Sequence, residues 1–168
     1  ILRSVWDKIM PSTYTPIATQ TLGSAAASVT FSSIPSTYTD LVCVISGSFT
    51  SAQGVYVRFN NDSGSNYSST YMLGNGSAAS SSRSTSDVWT PLGYLGTDIS
   101  NTIFSVMNYA NTTTNKTGIG RGNTAGALTF ATVGLWRSTA AINRLDIQPT
   151  SGNITSGTTL TLYGIKAA

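Results

Sequence analysis

Val55-Tyr56-Val57-Arg58-Phe59 places apolar residues at 55, 57 and 59 and polar or amphipathic ones between them. A period of two sends each set to its own face of an extended chain, so the stretch reads as a half-buried β-strand. Val29-Thr30-Phe31 repeats the pattern upstream. Asp40–Ser46 differs: Leu41-Val42-Cys43-Val44-Ile45 is a continuous apolar run, short enough for a central strand covered on both faces. Thr102–Tyr109, Ala127–Trp136, Ile142–Ile147 and Thr158–Ile165 continue the series with β-branched and aromatic residues. Turn chemistry separates them at Ile34-Pro35-Ser36, Asn61-Asp62-Ser63-Gly64, Gly74-Asn75-Gly76 and Thr150-Ser151-Gly152-Asn153. No amphipathic helix pattern follows residue 10. Short strands punctuated in this way predict an all-β, antiparallel sandwich or barrel. Ser77–Asp87 and Asn111–Asn123 carry too few apolar residues for strands and are expected to be exposed loops, gathered at the ends of the sandwich.

The chain has 168 residues, which fits one domain, placed at 12–168 behind an arm at 1–11. Charged residues make up only 9%, against about 25% in ordinary soluble domains. All six acids are Asp, histidine is absent, and 25 Ser and 26 Thr fill the gap. Without histidine there is no Ser-His-Asp or Cys-His catalysis and no His-ligated zinc. With no Glu and thinly spread Asp, a paired-carboxylate hydrolase is disfavoured, and Asp62 and Asp87 have no supporting pattern around them. The formal charge of +3 comes from nine cations with no run, whereas a nucleic-acid binder clusters them on one face. No apolar stretch approaches the 18 or so residues of a membrane helix, and the first residues lack the h-region of a signal peptide. The single cysteine, Cys43, sits inside an apolar run with only Asp40 nearby, which reads as a buried core thiol.

Several motifs bear on chemistry. Gly118-Ile119-Gly120-Arg121-Gly122 has no helix pattern behind it to hold a phosphate, so it reads as a glycine-rich strand or loop. Asn60–Asn66 spaces oxygen ligands like a calcium loop but lacks the closing bidentate acid, so a plain turn is expected and no metal. Six Asn-x-Ser/Thr triplets, at Asn61, Asn66, Asn75, Asn111, Asn115 and Asn153, follow from the hydroxyl-rich composition. Asp62, Asn66, Tyr67 and Tyr71 are the candidate loop contacts: tyrosines beside polar loop residues, Tyr109 after Asn108 included, can form a stacking shelf for a sugar. No constellation points to catalysis or to a cofactor.

Residues 1–10, Ile-Leu-Arg-Ser-Val-Trp-Asp-Lys-Ile-Met, stand apart from the rest. Their apolar residues at 1, 2, 5, 6, 9 and 10 suit one face of a short helix that Pro11 would end. Ten residues are too few for a stable free helix. The segment is therefore either a flexible tail or an arm ordered by docking on its own body or a neighbour.

From about Thr15 to its end the chain resembles a family of small virion proteins of tailed bacteriophages. The blocks that carry the resemblance are PIATQTLGSAAASVTFSSIPSTYTDL (16–41), RFNNDSGSNYSSTYMLGNGS (58–77), MNYANTTTNKTGIGR (107–121), VGLWRSTAAINRLDI (133–147) and SGNITSGTTLTLYGIKAA (151–168). The resemblance implies a jelly-roll β-sandwich, often trimeric, on the outside of the virion as a capsid decoration (cement) protein or in a tail appendage. The expected function is a non-enzymatic structural protein that reinforces the head shell. Its partners would be the major capsid protein and two further copies of itself in a homotrimer, with no nucleic acid and no membrane. The alternative is a tail-fibre or receptor-binding module that recognises a host surface glycan through loops at 61–71, 74–87 and 111–123. Members of the family begin close to Met10, so residues 1–9 are a departure from it. Leu2, Val5, Trp6 and Ile9 are then the candidate anchor to capsid or neighbour, Trp6 as the large interface residue.

Overall fold

The alternation at Val55, Val57 and Phe59 is realised in β4 (Gln53–Phe59), whose three apolar side chains are all buried. The computed structural model describes residues 13–124 and 127–166. Among them lie twelve strands and no helix. Besides β4 these are β1 (Tyr14–Thr21), β2 (Val29–Phe31), β3 (Asp40–Gly47), β5 (Tyr67–Gly74), β6 (Ala79–Asp87) and β7 (Thr90–Leu95). The series ends with β8 (Ser100–Met107), β9 (Lys116–Thr124), β10 (Leu128–Trp136), β11 (Leu145–Gln148) and β12 (Thr159–Ile165). They form a β-sandwich of two antiparallel sheets, ordered β1-β12-β3-β8-β9-β10-β5-β6 and β2-β11-β4-β7. The groups β1-β12-β3-β8 and β2-β11-β4-β7 face one another across the core. The hairpins β5–β6 and β9–β10 then extend the larger sheet beyond β8.

The core lies between the sheets. Leu41, Cys43 and Ile45 of β3, Phe104 and Val106 of β8, and Leu160 and Leu162 of β12 face Val29, Phe31, Val55, Val57, Phe59, Leu145 and Ile147. Burying each large side chain contributes about 1.5–3 kcal/mol of transfer free energy. The unbroken apolar run of β3 is explained by its central place: Val42 on the opposite face is buried too. Cys43 is fully enclosed, and loss of hydration pushes its thiol pKa upward. Where outer faces meet water, hydroxyls replace charges. Thr19 and Thr161 hydrogen-bond at 3.2 Å, and Thr21 and Thr159 at 2.9 Å. Among the described residues Arg144–Asp146 is the single ion pair, at 2.7 Å.

Two stretches expected to be loops are strands. Residues 79–87 form β6, paired with β5 through Leu73↔Ser80, Met72↔Ser81 and Thr70↔Arg83. As an edge strand largely exposed on both faces, β6 needs no apolar residues, so its composition hides it. Most of 111–123 is β9, and only Asn111–Asn115 remains a turn, in which Asn111 Oδ1 accepts from the Thr113 and Thr114 amides at 2.7 and 3.0 Å. The glycines of β9 serve sheet packing. Gly118, Gly120 and Gly122 face inward, and β7 lies directly on them. A Cβ at Gly120 would stand 2.5 Å from the Leu92 carbonyl carbon, and one at Gly122 would stand 2.8 Å from the Tyr94 oxygen. The two sheets touch backbone to backbone there. The helical arm expected at 1–10 lies outside the described residues.

Candidate functional site

Because glycine fills the three middle inward positions of β9, the side chains between them, Ile119 and Arg121, point outward. Register carries this outer face across the large sheet. One row runs Thr161, Val44, Ile103, Arg121, Ala131, Met72, Ser81. The next, two residues along each strand, runs Tyr163, Val42, Ser105, Ile119, Val133, Thr70, Arg83. Seven of these are aliphatic or Met, and six of the seven meet in a groove of about 460 Å³ lined by Val42, Met72, Ile103, Ile119, Ala131, Val133 and Arg121 among others. Ile103 and Arg121 also border an adjoining hollow of about 520 Å³. Met72 is 63% exposed, Val133 50% and Ile119 45%. A contiguous apolar patch on the outside of a sandwich can be buried against another macromolecule. Arg121 is its single charge near the centre and has no ion pair among the described residues. Chemically the face can bury apolar side chains and receive one carboxylate.

The residues singled out at 61–71 have a different role. Asn60 and Asn61 take left-handed conformations, φ 52° and 57°, which Asn tolerates, and so turn the chain between β4 and β5. Asp62 Oδ2 accepts from the Trp136 indole at 2.7 Å and from Asn66 Nδ2 at 2.9 Å, and its Oδ1 accepts from the Gly64 amide at 2.9 Å. Partial burial works to raise the Asp62 pKa, but these hydrogen bonds outweigh it and hold the carboxyl below its ordinary range. Tyr67 is a correction. It was expected in an exposed shelf and is 0% exposed, stacked 6.3 Å from Trp136 beside Phe59. Its hydroxyl accepts from the Phe59 amide at 3.0 Å and faces the Phe59 and Asp62 carbonyls at 3.3 and 3.2 Å. Being first in β5 on an inward position, it closes the end of the core. Tyr109 is likewise buried, donating to the Pro35 carbonyl. Tyr71 is half-buried against Phe130, 5.2 Å away between ring centroids. Asp62, Asn66 and Tyr67 are thus brought together, with Trp136, as a structural cap, and Tyr71 stands apart from them. Leu2, Val5, Trp6 and Ile9 lie outside the described residues.

Two features went unread in the sequence. Lys116 is buried with no ion pair among the described residues; its ammonium donates to the Thr114 and Thr139 carbonyls at 2.7 and 3.1 Å, and desolvation lowers its pKa. On the outside of the small sheet Arg58 lies over the Trp89 ring at 5.4 Å, and Trp89 meets Tyr56 edge-on at 5.5 Å. Among the described residues no cluster of three metal-ligating side chains occurs.

No protein-family model matches the chain, and no curated protein matches it. Among solved structures, a crystal structure of a protein of unknown function from Shewanella oneidensis MR-1 aligns over 94% of this chain and 77% of that one. It is 9% identical with a TM-score of 0.24, values too low to bear on fold or function.

Proposed function

We propose that this chain is a non-enzymatic structural protein of a tailed-phage virion, a decoration protein that binds the assembled capsid and reinforces it. The observation that carries the reading is the pair of apolar rows on the outer face of the large sheet. A sandwich that meets only water can clothe such a face in hydroxyls, as β1 and β12 do with Thr19, Thr21, Thr159 and Thr161. Here Met72, Ile119 and Val133 are presented instead. Placed across capsomer boundaries, the face would add buried area that exists only in the assembled shell and so stabilise the shell by mass action. The virion itself comes from the sequence resemblance, which spans most of the chain. The partners on this reading are the major capsid protein and further copies of the chain in a homotrimer. The glycan-binding alternative is weaker, since Tyr67 and Tyr109 are buried and 79–87 and 116–124 are strands.

The test is immunogold labelling of particles of the phage that encodes the chain. Label spread over the head supports decoration. Label confined to the tail tip, or absent from particles, refutes it.

A further inference from the structure

Among the described residues the two sheets end in four edge strands, β1, β6, β2 and β7, and three of them are blunted. β1 carries Pro16 and a bulge beside it, β2 is three residues long, and β7 carries Pro91 beside a break in register. β6 has no proline, and its bulge is confined to Thr85 and Ser86, so residues 79–84 run in regular register with β5. Its outer edge has no strand partner among the described residues. An open edge of this kind is a template for another strand. We propose that β6 pairs antiparallel with β6 of a second copy, about a two-fold axis at Ser81, and so joins two large sheets into one. The inference goes beyond the reading of the outer face and is independent of it, since no residue of β6 lines the apolar groove.

The hydrogen-bond alternation of the ladder names the free groups. The Asn75 amide donates to the Ala78 carbonyl at 3.1 Å, which makes 75 and 78 a bonded pair. Further along, Gly74↔Ala79, Met72↔Ser81 and Thr70↔Arg83 are then the non-bonded pairs. Ala79, Ser81 and Arg83 therefore turn their N–H and C=O groups to the open edge. The partner follows from how this edge matches itself. With Ser81 opposite Ser81 and Ala79 opposite Arg83, every one of these groups finds a partner on the other copy. A shift that brings the two Arg83 side chains face to face opposes like charges and sets Ser81 against the bulge. A shift the other way runs Arg83 past the start of β6. Side chains permit the approach: Ser80, Ser81 and Ser82 are small and exposed, and Arg83 meets only Ala79. The contact is isologous and closes at two copies, with both apolar grooves on one side of the joined sheet. A homotrimer held by other surfaces would be linked to its neighbour by this contact.

The experiment uses full-length chains, in which the buried Cys43 stays out of the reaction. In Ser81→Cys the two Cα atoms would lie about 5.5 Å apart across the axis. That is inside the roughly 4.4–6.8 Å span of a disulfide, so mild oxidation is expected to give a linked dimer. Ser82 is also exposed, but Ser82→Cys would stand about 8 Å from its copy and should link roughly tenfold more slowly. In sedimentation velocity Ser81→Pro should raise the dissociation constant of the dimer about tenfold with little change in Tm, because the N–H it removes faces the open edge. Ser81→Ala keeps that N–H and should associate like the natural chain. The proposal is overturned if Ser81→Cys does not link, if Ser82→Cys links as fast, or if folded Ser81→Pro associates like the natural chain. Immunogold results move none of these readouts, so the two readings fail separately.

Discussion

Gly120→Ala puts the backbone contact between the sheets to a direct test. The added methyl carbon would stand 2.5 Å from the carbonyl carbon of Leu92 and 3.0 Å from its Cα. Carbon atoms in ordinary contact are about 3.5–4.0 Å apart. The obstacle is main chain, so no rotamer change relieves it, and β7 must move out by about an ångström. That shift would loosen Leu92 and Leu95, both fully buried. Overpacking costs about 1–3 kcal/mol. A clash with backbone belongs at the upper end, about 3 kcal/mol, equivalent to roughly 6–12 °C in Tm for a chain of this size. Gly74→Ala is the control, because a Cβ there meets only Thr129 Oγ1 at 3.7 Å; its expected change is within about 0.5 kcal/mol. Urea unfolding followed by tryptophan fluorescence reports both, Trp136 being buried in the core. Equal stabilities for the two variants, or a Gly120→Ala cost below about 0.5 kcal/mol, would refute the glycine argument.

Three further outcomes are expected. Cys43 should resist a thiol reagent in the native protein and react at the rate of unfolding; prompt labelling without denaturant would show that the core is open. Tyr67→Phe should cost about 1–3 kcal/mol in the same urea assay, since the Phe59 amide loses its buried acceptor; a neutral result would contradict the capping role. Asp146 is a pH probe. Desolvation opposes its ionised form, but hydrogen bonds from Arg144 and Thr30 prevail and lower its pKa. A carboxyl depressed in the fold stabilises above its unfolded pKa, and that contribution is lost as pH falls through the folded value. The stability advantage of the natural chain over Asp146→Asn should therefore be full at neutral pH and shrink below about pH 4. A difference that does not vary with pH would count against it.

The strands that build the core were legible because burial on one or both faces leaves a local mark. Val55, Val57 and Phe59 alternate, and Leu41–Ile45 runs unbroken through a central strand. The same logic conceals β6, whose Ser-rich edge buries almost nothing, and β9, whose inward residues are glycines. Tyr67 misled for a related reason. Polar neighbours suggested an exposed ring, but its inward position in β5 decides its fate. The apolar face was beyond local reading altogether, because Val42, Met72, Ile103, Ile119 and Val133 become neighbours only through the register of β3, β8, β9, β10 and β5. One local clue exists in retrospect: where alternating glycines face inward, the apolar residues between them must face out.

The central claim is that the outer face of the large sheet is where this chain meets other proteins. Hydroxyl-radical footprinting of the assembled particle and of the dissociated chain compares Met72, on that face and 63% exposed, with Ile99, beyond β7 and 82% exposed. Assembly should protect Met72 strongly and leave Ile99 reactive. Oxidation of Met72 at the same rate in both states would contradict the account.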